Sequence, residues 1–281
     1  MNKNPIRIIP ILDIKNGLLI KGINLEGLRV LGKASDFSNH YYKSGADEIC
    51  YIDNVATLYG TNNLSKFITE TAKKIFIPLL VGGGIKNVSD IKKTLAAGAD
   101  KVCINSSAIE DIGLIKKASR IFGSSNITII IQCIKIENKY YICKSNGRDL
   151  IKINPVNWAK KVQDFGAGEI ILTCINNEGI KKGFDIKITK QVSEEVEIPV
   201  IAHGGAGSFN DIYEVIKHAN VSGVGLASIL HYEAINCFPR PNIKIGNTKF
   251  LETSTNSKTR RNIILEIKNY LRSKKIKVRY D

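Results

Sequence analysis

Three stretches of this chain occur twice at nearly the same spacing. Gly45-Ala-Asp-Glu-Ile returns as Gly166-Ala-Gly-Glu-Ile, and Ile77-Pro-Leu-Leu-Val-Gly-Gly-Gly returns as Ile198-Pro-Val-Ile-Ala-His-Gly-Gly, each 121 positions later. Asp13-Ile-Lys returns as Cys133-Ile-Lys, 120 positions later. Solenoid repeats run about 20–50 residues, so a period this long describes a duplicated half-domain. Between the repeats, short apolar runs alternate with longer amphipathic stretches. The runs are Ile6–Leu12, Glu48–Ile52, Pro78–Val81, Lys101–Ile104, Ile127–Ile131, Glu169–Thr173, Pro199–Ala202 and Gly223–Leu226. Nearly continuous apolar strands, each followed by room for a helix, imply a parallel sheet covered by helices. Eight such units close into a barrel.

The expected architecture is therefore α/β: one (β/α)₈ TIM barrel spanning 1–281, built from two homologous (βα)₄ half-barrels, about 6–123 and 124–231. Ser89–Ala97 and Asn157–Phe165 are the clearest helices. From Tyr232 to about Arg260 the chain turns polar and rich in Asn, Pro, Thr and Ser, and reads as an insertion or long loop. Asn262–Lys274 regains helical apolar spacing and is expected to close the barrel before a short tail.

The formal charge of +15 admits a nucleic-acid or membrane surface, the collection of an anionic metabolite, or a coding bias rich in Lys, Ile and Asn. The lysines are scattered along predicted helices, and the one dense basic run, Arg272–Arg279, holds no aromatic residue to stack a base. Both facts favour the last two readings, so neither nucleic acid nor membrane is expected as a partner. Cys50, Cys103, Cys133, Cys143, Cys174 and Cys237 form no C-x-x-C pair, and several lie within apolar runs. Buried reduced thiols and a cytoplasmic location are the expectation. The N-terminus lacks a long apolar segment, and no run of 18 apolar residues occurs. His40, His203, His218 and His231 show no metal-ligand spacing, and no cofactor is implied.

In such barrels the active site lies at the C-terminal ends of the strands. The residues there are Asp13, Asp53, Gly82–Gly84, Asn105-Ser106-Ser107, Gln132-Cys133, Cys174–Gly179, His203–Gly205 and Ala227-Ser228. Glycine lets backbone N–H groups approach an anion, and a following helix adds partial positive charge. Gly84 with Asn105 and Ser106, and Gly205 with Ala227 and Ser228, form two such cradles related by the repeat. A ligand with a phosphate at each end fits that pairing. Asp13 is placed as a general acid/base, with a salt bridge to Lys15 or Lys21 as the alternative. Its repeat partner is Cys133. A thiol, with a pKa of about 8.5 against about 3.9 for Asp, supplies no fixed negative charge at neutral pH.

These motifs resemble the cyclase subunit of imidazole glycerol phosphate synthase, a glutamine amidotransferase of histidine biosynthesis. The stretches that carry the likeness include Arg7-Ile-Ile-Pro-Ile-Leu-Asp-Ile-Lys-Asn-Gly, Lys21-Gly-Ile-Asn, Gly98-Ala-Asp-Lys-Val-Cys-Ile-Asn-Ser and Ile201-Ala-His-Gly-Gly-Ala-Gly. The resemblance implies a heterodimer with a glutaminase. Ammonia then crosses the barrel to a bisphosphorylated formimino-aminoimidazole carboxamide ribonucleotide. The products are imidazole glycerol phosphate and an aminoimidazole carboxamide ribonucleotide.

By resemblance, Asp13 matches one essential aspartate. Gly84, Asn105 and Ser106 match one phosphate site, and Gly179, Gly205, Ala227 and Ser228 the other. Lys21, Asp53 and Thr173 join the substrate-binding set. Arg7, Glu48, Lys101 and Glu169 match a charged gate at the ammonia entrance.

Three departures stand out. The second essential aspartate is expected to fall at Cys133. The family's Met-Asp-Arg-Asp-Gly-Thr reads Ile175-Asn-Asn-Glu-Gly-Ile, and a Ser before the Gly-Gly pair is His203. Besides the cyclase reading, these leave open a paralogue that conducts ammonia for amidation of a surface-polysaccharide sugar, the sibling isomerase of the pathway, and a silent phosphate-binding protein.

Overall fold

The computed structural model describes residues 4–53, 64–238 and 262–280. The eight apolar runs become eight parallel strands: β1 (Arg7–Lys15), β4 (Ile49–Asp53), β5 (Leu79–Gly82), β6 (Lys101–Ile104), β7 (Ile127–Ile136), β10 (Glu169–Cys174), β11 (Val200–His203) and β12 (Gly223–Leu226). They pair in that order, and β12 returns to β1 through Arg7↔Gly223 and Pro10↔Leu226, so the sheet closes. Helices cover its outside: α1 (Ala34–Lys43), α2 (Ser65–Ala72), α3 (Val88–Ala96), α4 (Ser106–Glu110), α5 (Gly113–Phe122), α6 (Pro155–Asp164), α7 (Ile186–Glu195), α8 (Phe209–His218), α9 (Ser228–Ala234) and α10 (Ile263–Ser273). The chain is a (β/α)₈ barrel.

Two antiparallel hairpins extend the barrel strands at equivalent places in the two halves. β2 (Leu18–Ile23) and β3 (Glu26–Lys33) follow β1, while β8 (Lys139–Lys144) and β9 (Asp149–Ile151) follow β7. Their turns use residues that accept positive φ: Asn16 and Gly17 at 51° and 75°, Glu137 and Asn138 at 46° and 66°. Consecutive positive φ values suit the twist of a two-residue hairpin. Leu25 and Gly147, at the tips of β2–β3 and β8–β9, meet above the barrel mouth against Ile175, which follows β10.

Alternation along each strand sorts side chains between lumen and helix layer. On β1, Ile8, Leu12 and Ile14 pack outward with Phe37 and Leu226, while Ile9 and Ile11 fill the lumen. On β7, Ile129, Ile131 and Cys133 pack outward against Trp158 and Val162, and Ile130 turns inward.

Of the stretch 232–260, read from sequence as a loop, Tyr232–Ala234 belong to α9 and Ile235–Cys237 to a 3₁₀ turn. Leu230 and Ala234 are buried, which holds this end helical. The rest of that stretch, from residue 239, lies outside the described residues. Helix α10 closes the barrel on Ile264, Ile267 and Leu271, all fully buried. It also carries Lys268, whose Nζ donates to Asp47 Oδ1 at 2.9 Å, and Asp47 Oδ2 accepts from the Ile8 N–H at 2.7 Å. Breaking a buried pair by removing one partner costs about 3–5 kcal/mol. Lys268→Ala is expected to lower stability in urea by about 3 kcal/mol; a loss under about 1 kcal/mol would show that the clamp contributes little.

Candidate functional site

The lumen is layered from the N-terminal ends of the strands to their C-terminal ends. At the N-terminal end, Arg7 bonds Glu48 at 3.1 Å and Glu169 at 2.5 Å, and Lys101 bonds the same two carboxylates at 3.1 and 3.4 Å. The four charges form a closed ring, with Thr128 beside Glu169 at 3.5 Å. Burial alone would lower the Arg7 pKa, but Glu169 and Glu48 outweigh it and raise it. Burial raises Glu48 despite Lys101 and Arg7. Above the ring lies an apolar layer of Ile9, Ile11, Cys50, Leu80, Cys103, Ile130, Ile171 and Ile201.

Above that layer is the mouth. Asp13, buried near the end of β1, lies 3.8 Å from Lys21 Nζ, and Lys21 also bonds Glu178 on the loop after β10. Burial opposes the charge on Lys21, yet Asp13 and Glu178 together raise its pKa, so it stays a cation at neutral pH. Glu178 Oε2 accepts from the Leu25 N–H at 3.2 Å, tying the first hairpin to this loop. The salt bridge to Lys21 and a place in the mouth thus coexist for Asp13.

The first cradle lines a cavity of about 250 Å³ with Asp53, Gly83, Gly84, Lys86, Asn105, Ser106 and Gln132. Gly83 has φ of 101°, and a Cβ there would meet the Asp53 carbonyl oxygen at 2.3 Å, so only glycine fits. Asn105 Nδ2 donates to Gln132 Oε1 at 3.1 Å, and Gln132 Nε2 donates to Asn146 Oδ1 at 3.3 Å. Asn105 Oδ1 is buried with no hydrogen-bond partner.

The second cradle brings Gly179, His203, Gly205, Ala227 and Ser228 together, but around only about 10 Å³, room for roughly one water. A Cβ on Gly205 would lie 2.1 Å from the Gly183 carbonyl, and the Gly183 N–H donates to Gly205 O at 2.8 Å. Larger hollows, of about 950 and 850 Å³, lie outside near Asn4 and Lys277 and between α2 and α3, away from every inward-facing residue.

Cys133 does not stand opposite Asp13. Its side chain is fully buried in the helix-facing layer, beside Cys174, its ladder partner on β10. The Cys174 thiol and burial hold it well above the usual thiol range. The residue of β7 that reaches the mouth is Gln132. The cause is strand parity: a slip of one residue sends a side chain to the other face, and Gln132, which shares the inward parity of Asp13, lies 119 positions after it, whereas the matching tripeptide picked Cys133 at 120. Inward Thr128, Ile130 and Gln132 against outward Ile129, Ile131 and Cys133 was the signal available in the sequence.

Thr173 and His203 meet on neighbouring strands, Oγ1 to Nδ1 at 2.9 Å. Burial pushes the His203 pKa down to about 4, reinforced by Lys21 and opposed by Glu178. In the sequence His203 is a strand-end residue and a departure from the family pattern, while nothing local links Glu178 to Lys21. All six cysteines are free thiols. Among the described residues no helix is long and apolar enough to cross a membrane, and no group of three or more His, Cys, Asp or Glu is placed to hold a metal.

A protein family described as histidine biosynthesis protein matches residues 7–236. The imidazole glycerol phosphate synthase subunit HisF of Legionella pneumophila is 47% identical over 207 residues, covering 73% of this chain and 98% of that protein. The proteins of the same name from Petrotoga mobilis and Prochlorococcus marinus are 42% and 43% identical, each alignment covering 80% of this chain and 90% of the relative.

The low His203 pKa has a pH consequence. The unfolded chain takes up a proton on this imidazole below about pH 6.5, whereas the folded chain does so only near pH 4. Stability therefore falls as pH drops between those values, by about 1.4 kcal/mol per unit. In His203→Ser, the stability lost between pH 7 and pH 5 is expected to shrink by about 2 kcal/mol. An unchanged loss in urea titrations at the two pH values would show that His203 is protonated in the folded chain.

Proposed function

This chain belongs to the histidine biosynthesis protein family, and from that premise we propose that it is the ammonia-using cyclase subunit of an imidazole glycerol phosphate synthase. A glutaminase docks at the ring face as its heterodimer partner. Ammonia enters at Arg7, Glu48, Lys101 and Glu169, crosses the apolar layer and reaches the substrate at the mouth. The observation that carries this reading is the closed ring of alternating charges in line with that layer and Asp13. Buried ion pairs are often no more stabilising than apolar side chains of similar volume, so a ring set into the lumen entrance is better explained by selective passage than by stability.

The substrate is the bisphosphorylated formimino-aminoimidazole carboxamide ribonucleotide. Gly84, Asn105 and Ser106 hold one phosphate, and Gly179, Gly205, Ala227 and Ser228 hold the other once that cleft widens around it. Asp53 and Thr173 line the ligand between them. Lys21 keeps a positive charge beside Asp13. The duplicated units are 6–123 and 124–231, a division supported by the matching hairpins after β1 and β7. Buried free thiols fit a cytoplasmic enzyme.

Gln132 favours a second reading. An amide neither gives nor takes a proton near neutral pH, so a paralogue that conducts ammonia to a sugar-amidating enzyme accounts for a mouth with one carboxylate fewer. Turnover of the bisphosphate with saturating ammonium separates the two. The cyclase reading expects turnover, retained in Cys133→Ala because that thiol faces the helices. Lys101→Glu is expected to cut glutamine-driven turnover, with the glutaminase present, at least about tenfold more than ammonium-driven turnover, about 1.4 kcal/mol of barrel-specific barrier. No turnover by the parent supports the conducting paralogue, and an equal fall in both activities assigns the ring a structural role.

A further inference from the structure

The charged ring opens on the face that carries the N-terminal ends of the strands. Arg7 and Lys101 keep 16% and 20% of their side chains exposed there. Two further features flank this entrance, and the chemistry at the mouth uses neither.

The first is Phe76. Ile75 and Ile77 pack into the core, so the chain between them turns the Phe76 ring outward, 83% exposed. It is the most exposed large hydrophobic side chain among the described residues. Tyr42 supports it from one side, with ring centroids 6.1 Å apart. Pro78 follows, and its carbonyl accepts from the Ile49 N–H at 2.9 Å. Phe76 thus stands just before β5, the strand between β4, which follows Glu48, and β6, which begins at Lys101.

The second is the hollow of about 950 Å³ on the other side of Arg7. Its floor is apolar, with Ile216, Val221 and Ile276, and its rim carries Lys217, Lys275 and Lys277. The backbone ties it to the entrance. The Ile6 N–H donates to Lys277 O at 2.8 Å, and the Arg7 N–H donates to Ser222 O at 3.2 Å. Lys190 also lines the hollow but is paired with Glu194 at 3.7 Å, and His218 is paired with Glu214 at 3.1 Å. Among the described residues no carboxylate pairs with Lys217, Lys275 or Lys277.

We infer that Phe76 and the lysine-rimmed hollow form the docking surface for the glutaminase, which presents an apolar pocket to the phenyl ring and a carboxylate-bearing segment to the hollow. This rests on the heterodimer reading and names the chemistry of the partner. Ammonia set free outside the barrel is lost to solvent, so the partner has to cover the entrance on all sides. Covering it brings the partner over both features. An aromatic anchor with charges around it is common interface anatomy, and aromatic anchors carry much of the binding energy. A second copy of this chain is the wrong occupant on charge. Each copy carries +15, and juxtaposed like charges oppose association. The same three lysines select an acidic surface.

The test measures the dissociation constant for the purified glutaminase of the same organism by calorimetric titration, at about 0.05 M and about 0.5 M salt. Phe76→Ala is expected to weaken binding at least about tenfold at both salt concentrations, because the lost contact is apolar. Lys217→Glu combined with Lys277→Glu is expected to weaken it at least about tenfold at low salt and by less at high salt, where rim charges are screened. Lys135→Glu combined with Lys139→Glu makes the same charge change on the hairpin at the mouth, and is expected to leave binding within about threefold of the parent. All five side chains are exposed, so every variant is expected to melt within a few degrees of the parent. A smaller loss than stated in either docking variant overturns this surface alone, as does an equal loss in the hairpin control. So does a homodimer of the parent that Phe76→Ala dissolves, which gives the face to a second copy. A parent that binds no glutaminase at either salt concentration overturns the heterodimer reading and this surface with it.

Discussion

A closed barrel with alternating strands gives each side chain only two destinations, and the chemistry of this protein depends on that division. Inward positions build three consecutive layers: a charged ring, an apolar section and a polar mouth. Outward positions build the hydrophobic seam under the helices. Among the described residues each of the eight barrel strands is paired on both sides, so the lumen keeps its width without help from the loops. The glycines at Gly223 and Gly225 make β12 the thinnest wall, and Arg7, Ile9, Ile11 and His203 fill the space beside them.

Polar groups in the mouth are held by pairing across elements. Lys21 reaches from the first hairpin to Asp13 on β1 and Glu178 beyond β10, so one cation joins three segments far apart in sequence. A lone buried ammonium would shed its proton, and two carboxylates without it would repel. The same rule places Asp47, whose two oxygens serve the Ile8 N–H and Lys268. His231 is satisfied on both nitrogens, by Tyr41 at 2.7 Å and the Ile11 carbonyl at 2.9 Å, which fixes the backbone just before Asp13.

The eight barrel strands were legible because both faces of each are covered, which forces near-continuous apolar runs such as Ile127–Ile131. The hairpins were not, since β2, β3, β8 and β9 carry charged and small residues with no long apolar stretch; Asn16-Gly17 and Asn146-Gly147 were the available turn signals. Ring and cradle residues could be located because each sits at a strand end. Cys133 was misplaced because a matching tripeptide was read as a structural match, while parity along β7 pointed to Gln132. The Lys21–Glu178 contact was out of reach, since nothing local links a hairpin lysine to a carboxylate 157 positions away.

In the ring at the foot of the barrel, every member has two neighbours of opposite sign. Such a loop has redundancy that a chain of pairs lacks. Break any one link, and Arg7, Glu48, Lys101 and Glu169 each still hold a partner, so no charge is stranded in the protein. One side can therefore swing aside at the cost of a single contact while the other three keep the frame in place. A four-membered circuit of this kind is a hinge that tolerates a missing pin, and any single-residue change to it removes two contacts, not one.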